Sequence, residues 1–163
     1  MKKVTIPIVN RSTNDYPVYA HPGDAGMDLR ADFTSPDSIL GDKCEWDDIR
    51  RKFIIFPGGR AAIPTGIKVA LPEGHVMMVC PRSGLALKQG VTVWNSPGIV
   101  DENFRGEVCA ILANLSSEPF EISQGDRVAQ AVLVKYEPIS WKPVDNLEDS
   151  DRGENGFGST GNE

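Results

Sequence analysis

Apolar residues in this chain recur in short runs broken by turn formers, with no long helical period linking them. VTIPIV (4–9), KFIIF (52–56), IKVAL (67–71) and VMMVC (76–80) read as strands. VTVW (91–94), EVCAILANL (107–115) and RVAQAVLVKY (127–136) continue the series. Between them PGG from Pro57, PEG from Pro72, SPG from Ser96 and QGD from Gln124 each reverse the chain. This rhythm predicts an all-β sandwich or barrel-like fold. Only SGLALKQG, from Ser83, has a helical look, and Gly90 limits it to about two turns.

Two segments break the rhythm. In ILGDKCEWDDIRRK (39–52), Trp46, Ile49 and Phe53 share a helical face, consistent with a short surface helix. A solvated excursion is the simpler reading and a partner-binding insert the sharper one. The chain ends in RGENGFGSTGNE, where four glycines surround Phe157, five residues after Arg152. Glycine-rich chain without an apolar face predicts a loose arm in the free protein. An arm with nothing to bind needs neither an aromatic ring nor an arginine.

Composition narrows the class. The 163 residues fit a single domain with a real core, and 40% hydrophobic with 25% charged content is ordinary for a globular protein. The net charge of −6 argues against broad binding to nucleic acid or an anionic membrane, but leaves room for a small anion held by a few placed arginines. Cys44, Cys80 and Cys109 are odd in number and widely spaced, which suits a reducing, cytoplasmic setting, or a host cytoplasm for a viral protein. No apolar run reaches membrane-spanning length. His21 and His75 have no partner at zinc-ligand spacing.

Four stretches carry candidate chemistry. In PRSGLA (81–86), Arg82 supplies a fork suited to phosphate oxygens, while Ser83 and Gly84 open the short helix with free N–H groups. The same residues also fit an ordinary capped helix beside an exposed arginine. In NSPGIVDENFRGE (95–107), Asp101 follows the apolar pair Ile99–Val100, a setting that would hold an acid rigid and partly desolvated, as a general base requires. A hairpin with solvated acids explains that stretch equally simply. Asp28, in DAGMDLRA (24–31), reads first as a structural acid in a Gly-led strand. Arg127 and Gln130, in GDRVAQ (125–130), are either functional or the polar face of an edge strand.

Taken in order, AGMDL, PRSG, NSPGIVD-x-x-F-RG, GDRVAQ and RG-x-x-GFGSTG resemble the five motifs of the trimeric dUTP nucleotidohydrolases. The resemblance runs from about Val4 to Gly161, with 39–52 as an insertion. It implies a jelly-roll-like β-clip domain over 1–143, a flexible arm over 144–163, and a homotrimer whose subunits share three active sites. The implied reaction is hydrolysis of dUTP to dUMP and pyrophosphate. Asp101 would activate water for attack on the α-phosphorus, Arg82, Ser83 and Gly84 would hold the phosphates, and Gln130 would support them. Asp28 would approach, through water, a Mg²⁺ chelated by the triphosphate. Asn95 and the backbone of Gly98, Ile99 and Val100 would read uracil, and Phe104 would pack under deoxyribose. From the arm, Arg152 would meet the γ-phosphate while Phe157, Gly158 and Ser159 close over the base.

This chain departs from the family pattern in places. Phe104 stands at a usual tyrosine, Asn103 at a frequent acid, and Glu154–Asn155 at a usual pair of small residues. A carboxylate beside a triphosphate is repulsive and would weaken arm closure. The related dCTP deaminases place a glutamate five residues after the glycine of the third motif; here that position is Ile111, which has no acid–base chemistry. A catalytically weak, nucleotide-binding regulatory protein on the same scaffold is the rival from another class, with the 39–52 insert as its protein-binding element.

Overall fold

The computed structural model describes residues 3–36 and 39–154. Among them the single helix is α1 (Ser83–Gln89), closed by Gly90 in the left-handed conformation at φ 63°. The remaining regular structure is β. A small sheet pairs β1 (Ile8–Asn10) with β5 (Ile67–Val69). A second, antiparallel sheet runs β10 (Phe120–Ser123), β4 (Lys52–Pro64), β9 (Cys109–Asn114) and β7 (Val91–Val93), with β3 (Gly41–Asp47) also on β4. The third runs β2 (Gly26–Arg30), β11 (Arg127–Lys135), β6 (His75–Cys80) and β8 (Gly98–Val100). The sheets do not close into a barrel.

Alternation explains why these runs are strands. In β9 and β11 the buried positions repeat with a period close to two, placing Ala110, Leu112, Ala129 and Ala131 inside. They join Leu29, Ile55, Ile63, Val79, Val93, Val108 and Ile122 in one core. Buried Asn114 is fully employed: its amide donates to the carbonyls of Ile55 (2.9 Å) and Glu118 (2.8 Å), and its oxygen accepts from Ser116.

The 39–52 segment is not helical. Residues 41–47 form β3, paired to β4 with Trp46 opposite Phe53, so the proximity of those two residues comes from a hairpin. Cys44 and Trp46 lean inward with strand period, and the Trp46 ring meets Phe33 at 5.4 Å, which in turn stacks on Phe53 at 5.8 Å. Gly59 lets β3 approach, because a β-carbon there would collide with the carbonyls of Asp42 and Lys43. Ile49 lies in the turn, where Asp47 Oδ1 accepts from its N–H, and its side chain is 95% exposed. Cross-strand burial of one aromatic face therefore prevails over the helical spacing.

Glu121 ties β10 to β4 and to the turn of this hairpin, through Lys52 Nζ at 2.7 Å and Arg50 at 2.5 Å. Hydrogen bonds from Lys52 and Arg50 lower its pKa from the ordinary 4.5.

Two outcomes follow from these contacts. In denaturant titrations, Trp46→Ala costs about 1–3 kcal/mol, whereas Ile49→Ala stays within about 0.5 kcal/mol. Equal costs would favour a shared helical face. For Glu121, the folded state holds the proton more weakly than the unfolded state. Its contribution is therefore present above the unfolded pKa and lost as pH falls through the lower folded value. Stability measured below pH 4.5 should fall less steeply in Glu121→Gln.

Candidate active site

The third sheet positions the polar residues. Its register sets Asp28 of β2 opposite Gln130 of β11, and Gln130 opposite Cys80 at the end of β6. Pro81 and Arg82 follow directly, so the first, second and fourth motifs meet at one end of the sheet. There Asp28 faces two guanidiniums. Arg82 Nε donates to Oδ1 at 2.8 Å, and Arg127 reaches Oδ2 at 3.4 Å. Arg82 also donates to the Arg127 carbonyl at 3.1 Å. One carboxylate against two cations leaves this corner locally positive within a chain of net charge −6.

Gln130 is held in place as well. Its amide nitrogen donates to the Pro81 carbonyl at 2.9 Å. Its side chain crosses Gly26, where a β-carbon would collide with the Gln130 amide. The glycine that leads the first motif is thus required by a residue of the fourth.

Beyond Arg82, α1 starts without a side-chain cap, and Ser83 and Gly84 are exposed. A β-carbon on Gly84 would touch nothing. Glycine inside a helix costs about 1 kcal/mol relative to alanine, and no neighbour in this chain requires it. The bare backbone faces open space. Beside the cluster, Asp28, Arg30 and Arg127 also line a cleft of about 220 Å³ with Tyr16 and Val18.

The third motif lies elsewhere. Asn95 packs over Gly98, where a β-carbon would stand 3.3 Å from the Asn95 amide and from Val79. The peptide before Pro97 is cis. From this hairpin β8 runs along β6 with Gly98 opposite Val79 and Val100 opposite Met77, which carries Asp101 away from Cys80. Four residues of β6 separate the Asp101 level from the Gln130 row, about 13 Å along the strands at 3.3 Å per residue. Asp28 lies three strands across from β8, about 14 Å. Within one chain, Asp101 is therefore apart from Asp28, Arg82 and Gln130.

Asp101 is also exposed, contrary to the partial desolvation expected of it. The reason is topological: among the described residues β8 is the outer strand of its sheet, with no strand on its far side to cover the loop. Phe104 is 42% exposed, with its ring over Gly106, and Ile99 is 54% exposed. The loop is internally bonded, from Phe104 N–H to the Asp101 carbonyl at 3.1 Å and from Arg105 to the carbonyls of Glu102 (2.6 Å) and Phe104 (2.8 Å). Beside it, desolvation and a hydrogen bond to Glu102 raise the Tyr136 pKa.

Arg152 is exposed at the end of the described chain, and Phe157, Gly158 and Ser159 lie outside the described residues. Arg127, left open in the sequence as functional or as an edge-strand polar residue and given no role by the resemblance, shares Asp28 with Arg82. Its position three residues before Gln130 on one strand was the available signal.

A carboxylate-organised pair of arginines lies beside bare helix backbone at the end of an antiparallel sheet in this all-β domain, an arrangement with the charge and free N–H groups that suit an anion. A dUTPase family model matches residues 48–161. The chain is 40% identical to the deoxyuridine 5'-triphosphate nucleotidohydrolase of Fusobacterium nucleatum, over 99% of each chain. It is 41% identical to that of Finegoldia magna, covering 96% of this chain and 98% of the other. The chain belongs to the dUTPase family. A mutant dUTPase of Staphylococcus bacteriophage 80alpha, solved with dUpNHpp, shares its fold at TM-score 0.78 and 23% identity, covering 98% of this chain and 99% of that one. A phage phi11 dUTPase mutant, in which coordination of a structural Mg(II) ion was described, matches at TM-score 0.71 and 20% identity, covering 90% of this chain and all of that one.

The Gly26–Gln130 contact gives a direct check. Gly26→Ala and Gln130→Ala should each cost about 1 kcal/mol, near the value of one hydrogen bond. The double variant should cost no more than the larger single one, as measured by thermal denaturation. Simple addition would mean that the two residues act separately.

Proposed function

We propose that this protein hydrolyses dUTP to dUMP and pyrophosphate, in sites that two or more copies of the chain complete together. The Arg82–Asp28–Arg127 cluster carries the reading, because two arginines held by one carboxylate suit an anion in an otherwise acidic protein. Arg82, Ser83, the bare backbone at Gly84 and Gln130 hold the phosphate chain. Asn95 and the backbone of Gly98, Ile99 and Val100 read the edges of uracil, and the Phe104 ring packs under the sugar, excluding a 2′-hydroxyl. Asp101 accepts the proton of a water whose oxygen bonds to the α-phosphorus as the bond to the bridging oxygen breaks and pyrophosphate leaves. No covalent intermediate is required, so positioning and charge neutralisation carry most of the catalysis.

Assembly reconciles this chemistry with the separation of Asp101 from the cation cluster. A neighbouring copy would bring its Asp101 loop to this chain's arginines, covering Ile99 and Phe104 and desolvating the acid. The exposed apolar residues of the first segment, including Val9, Tyr16 and Val18, offer further contact surface. A homotrimer with three shared sites satisfies both needs. Residues 144–163 serve as the arm, at the end of a segment exposed throughout its described length after β11; Arg152, Phe157, Gly158 and Ser159 close it over the bound nucleotide.

Magnesium fits as a partner of the substrate. Among the described residues no group of three or more His, Cys, Asp or Glu side chains could hold a metal, and both Asp28 oxygens face arginines. Mg²⁺ commonly keeps several waters and binds through substrate phosphates with one or two carboxylates, and Asp28 is the carboxylate at this cluster. Bound there, the ion neutralises phosphate charge. Among the described residues no helix is long and apolar enough to cross a membrane, and we place the protein in the cytoplasm, where nucleotides turn over.

Purified protein with Mg²⁺ should release pyrophosphate from dUTP and not from dCTP, dTTP or UTP. A positioned base contributes 10²–10⁴-fold, so Asp101→Asn should lose about 3–5 kcal/mol of transition-state stabilisation. Removal of residues 153–163 should lower kcat strongly. Near-normal kcat in Asp101→Asn would remove that residue from the role, and ammonia from dCTP would replace the proposed reaction with deamination.

A further inference from the structure

We infer that Glu102 is a positioning residue for Asp101, fastening the Asp101 loop to the point where the chain leaves β11. The inference rests on the role proposed for Asp101. Glu102 Oε2 accepts from the Gly74 N–H at 2.7 Å and from the Tyr136 hydroxyl at 3.2 Å. A third bond closes the ring, from the Tyr136 N–H to the Gly74 carbonyl at 2.9 Å. Three segments distant in sequence thus meet at one carboxylate oxygen.

The ring is built in. Gly74 sits at φ +72°, where a side chain would be strained, in a turn held by the bond from His75 N–H to the Pro72 carbonyl at 3.2 Å. Glu102 is half-buried, whereas Asp101, Asn103, Phe104 and Arg105 are exposed. The side-chain hydrogen bonds described for residues 101–105 leave the loop only at Glu102; those of Arg105 stay inside it. Arg105 therefore fixes the shape of the loop, and Glu102 fixes where that shape sits.

This placement bears on catalysis because a general base must stay within hydrogen-bond reach of its water, and a displacement of about 1 Å can cost 10²-fold. The bonds that Glu102 accepts are charge-assisted, hence stronger than those between neutral groups. Tyr136 is the first residue after β11, where the chain leaves the sheet. The carboxylate beside the base thus grips the point from which the chain runs on toward the arm.

The test uses the full chain, with Glu102→Ala, Glu102→Gln and Tyr136→Phe. Glu102→Ala should lower kcat for dUTP about 10–100-fold with KM within about threefold, a split expected of a displaced base. Glu102→Gln, whose amide oxygen still accepts, should restore most of kcat, and Tyr136→Phe should lose about two- to fivefold. Amide hydrogen exchange over residues 98–107 should quicken in Glu102→Ala, a readout independent of activity. A kcat within twofold of the parent, a loss matched by an equal rise in KM, or unchanged exchange would each overturn the inference. If the parent fails to hydrolyse dUTP, the role of Asp101 falls, while the exchange measurement still decides whether Glu102 holds the loop.

Discussion

The register of β11 is the constraint on which the site depends. This strand pairs with β2 on one side and β6 on the other, and so sets Asp28 beside the end of β6, from which Arg82 follows. Side chains alternate along a strand, so a slip of one residue would send Gln130 to the opposite face and separate it from Pro81 and Gly26. Burial of Ala129 and Ala131 on the core side enforces the register. The packing that stabilises the sheet therefore also selects the row Asp28–Gln130–Cys80. The two arginines then need only one carboxylate to be brought together.

Charge follows the same geometry. An isolated pair of guanidiniums this close would repel, and Asp28 offsets that while leaving a net positive corner. The cation cluster proposed to take the phosphates is thus held in shape by Asp28, which would reduce the ordering cost of binding. The Asp101 loop follows a different principle. It rides on an outer strand and is shaped by its own bonds, and only Glu102 ties its side chains to the rest of the described chain. One part of the site belongs to the sheet and the other is presented at its edge.

Much of this was legible in the residues. Short apolar runs with turn formers between them marked most strands to within a few positions, and SGLALKQG became the helix with Gly90 as its stop. The strand β4 was read short, because PGG at Pro57 signals a turn, yet the glycines there let one long strand bend past β3. For 39–52 a solvated excursion is the simpler sequence reading and a short helix only consistent with the spacing of Trp46, Ile49 and Phe53; a hairpin also brings Trp46 and Phe53 together once Phe33 provides a ring to pack on. Asp101 follows directly from the apolar pair that ends β8. Its exposure could not be read, because exposure depends on which strand ends a sheet. The network around Asp28 was hidden for a related reason, since residues 28, 82, 127 and 130 meet only through the order of strands.

The central claim is that no single copy of this chain holds a whole site. Co-expression of Asp101→Asn with Arg82→Ala, each inactive alone, tests it most directly. If one copy's Asp101 serves another copy's Arg82, mixed assemblies should recover about a quarter of the parent activity, the random-mixing share of interfaces that pair two intact residues. Mixed assemblies with no activity above that of the separate variants would contradict the account and return the whole site to one chain.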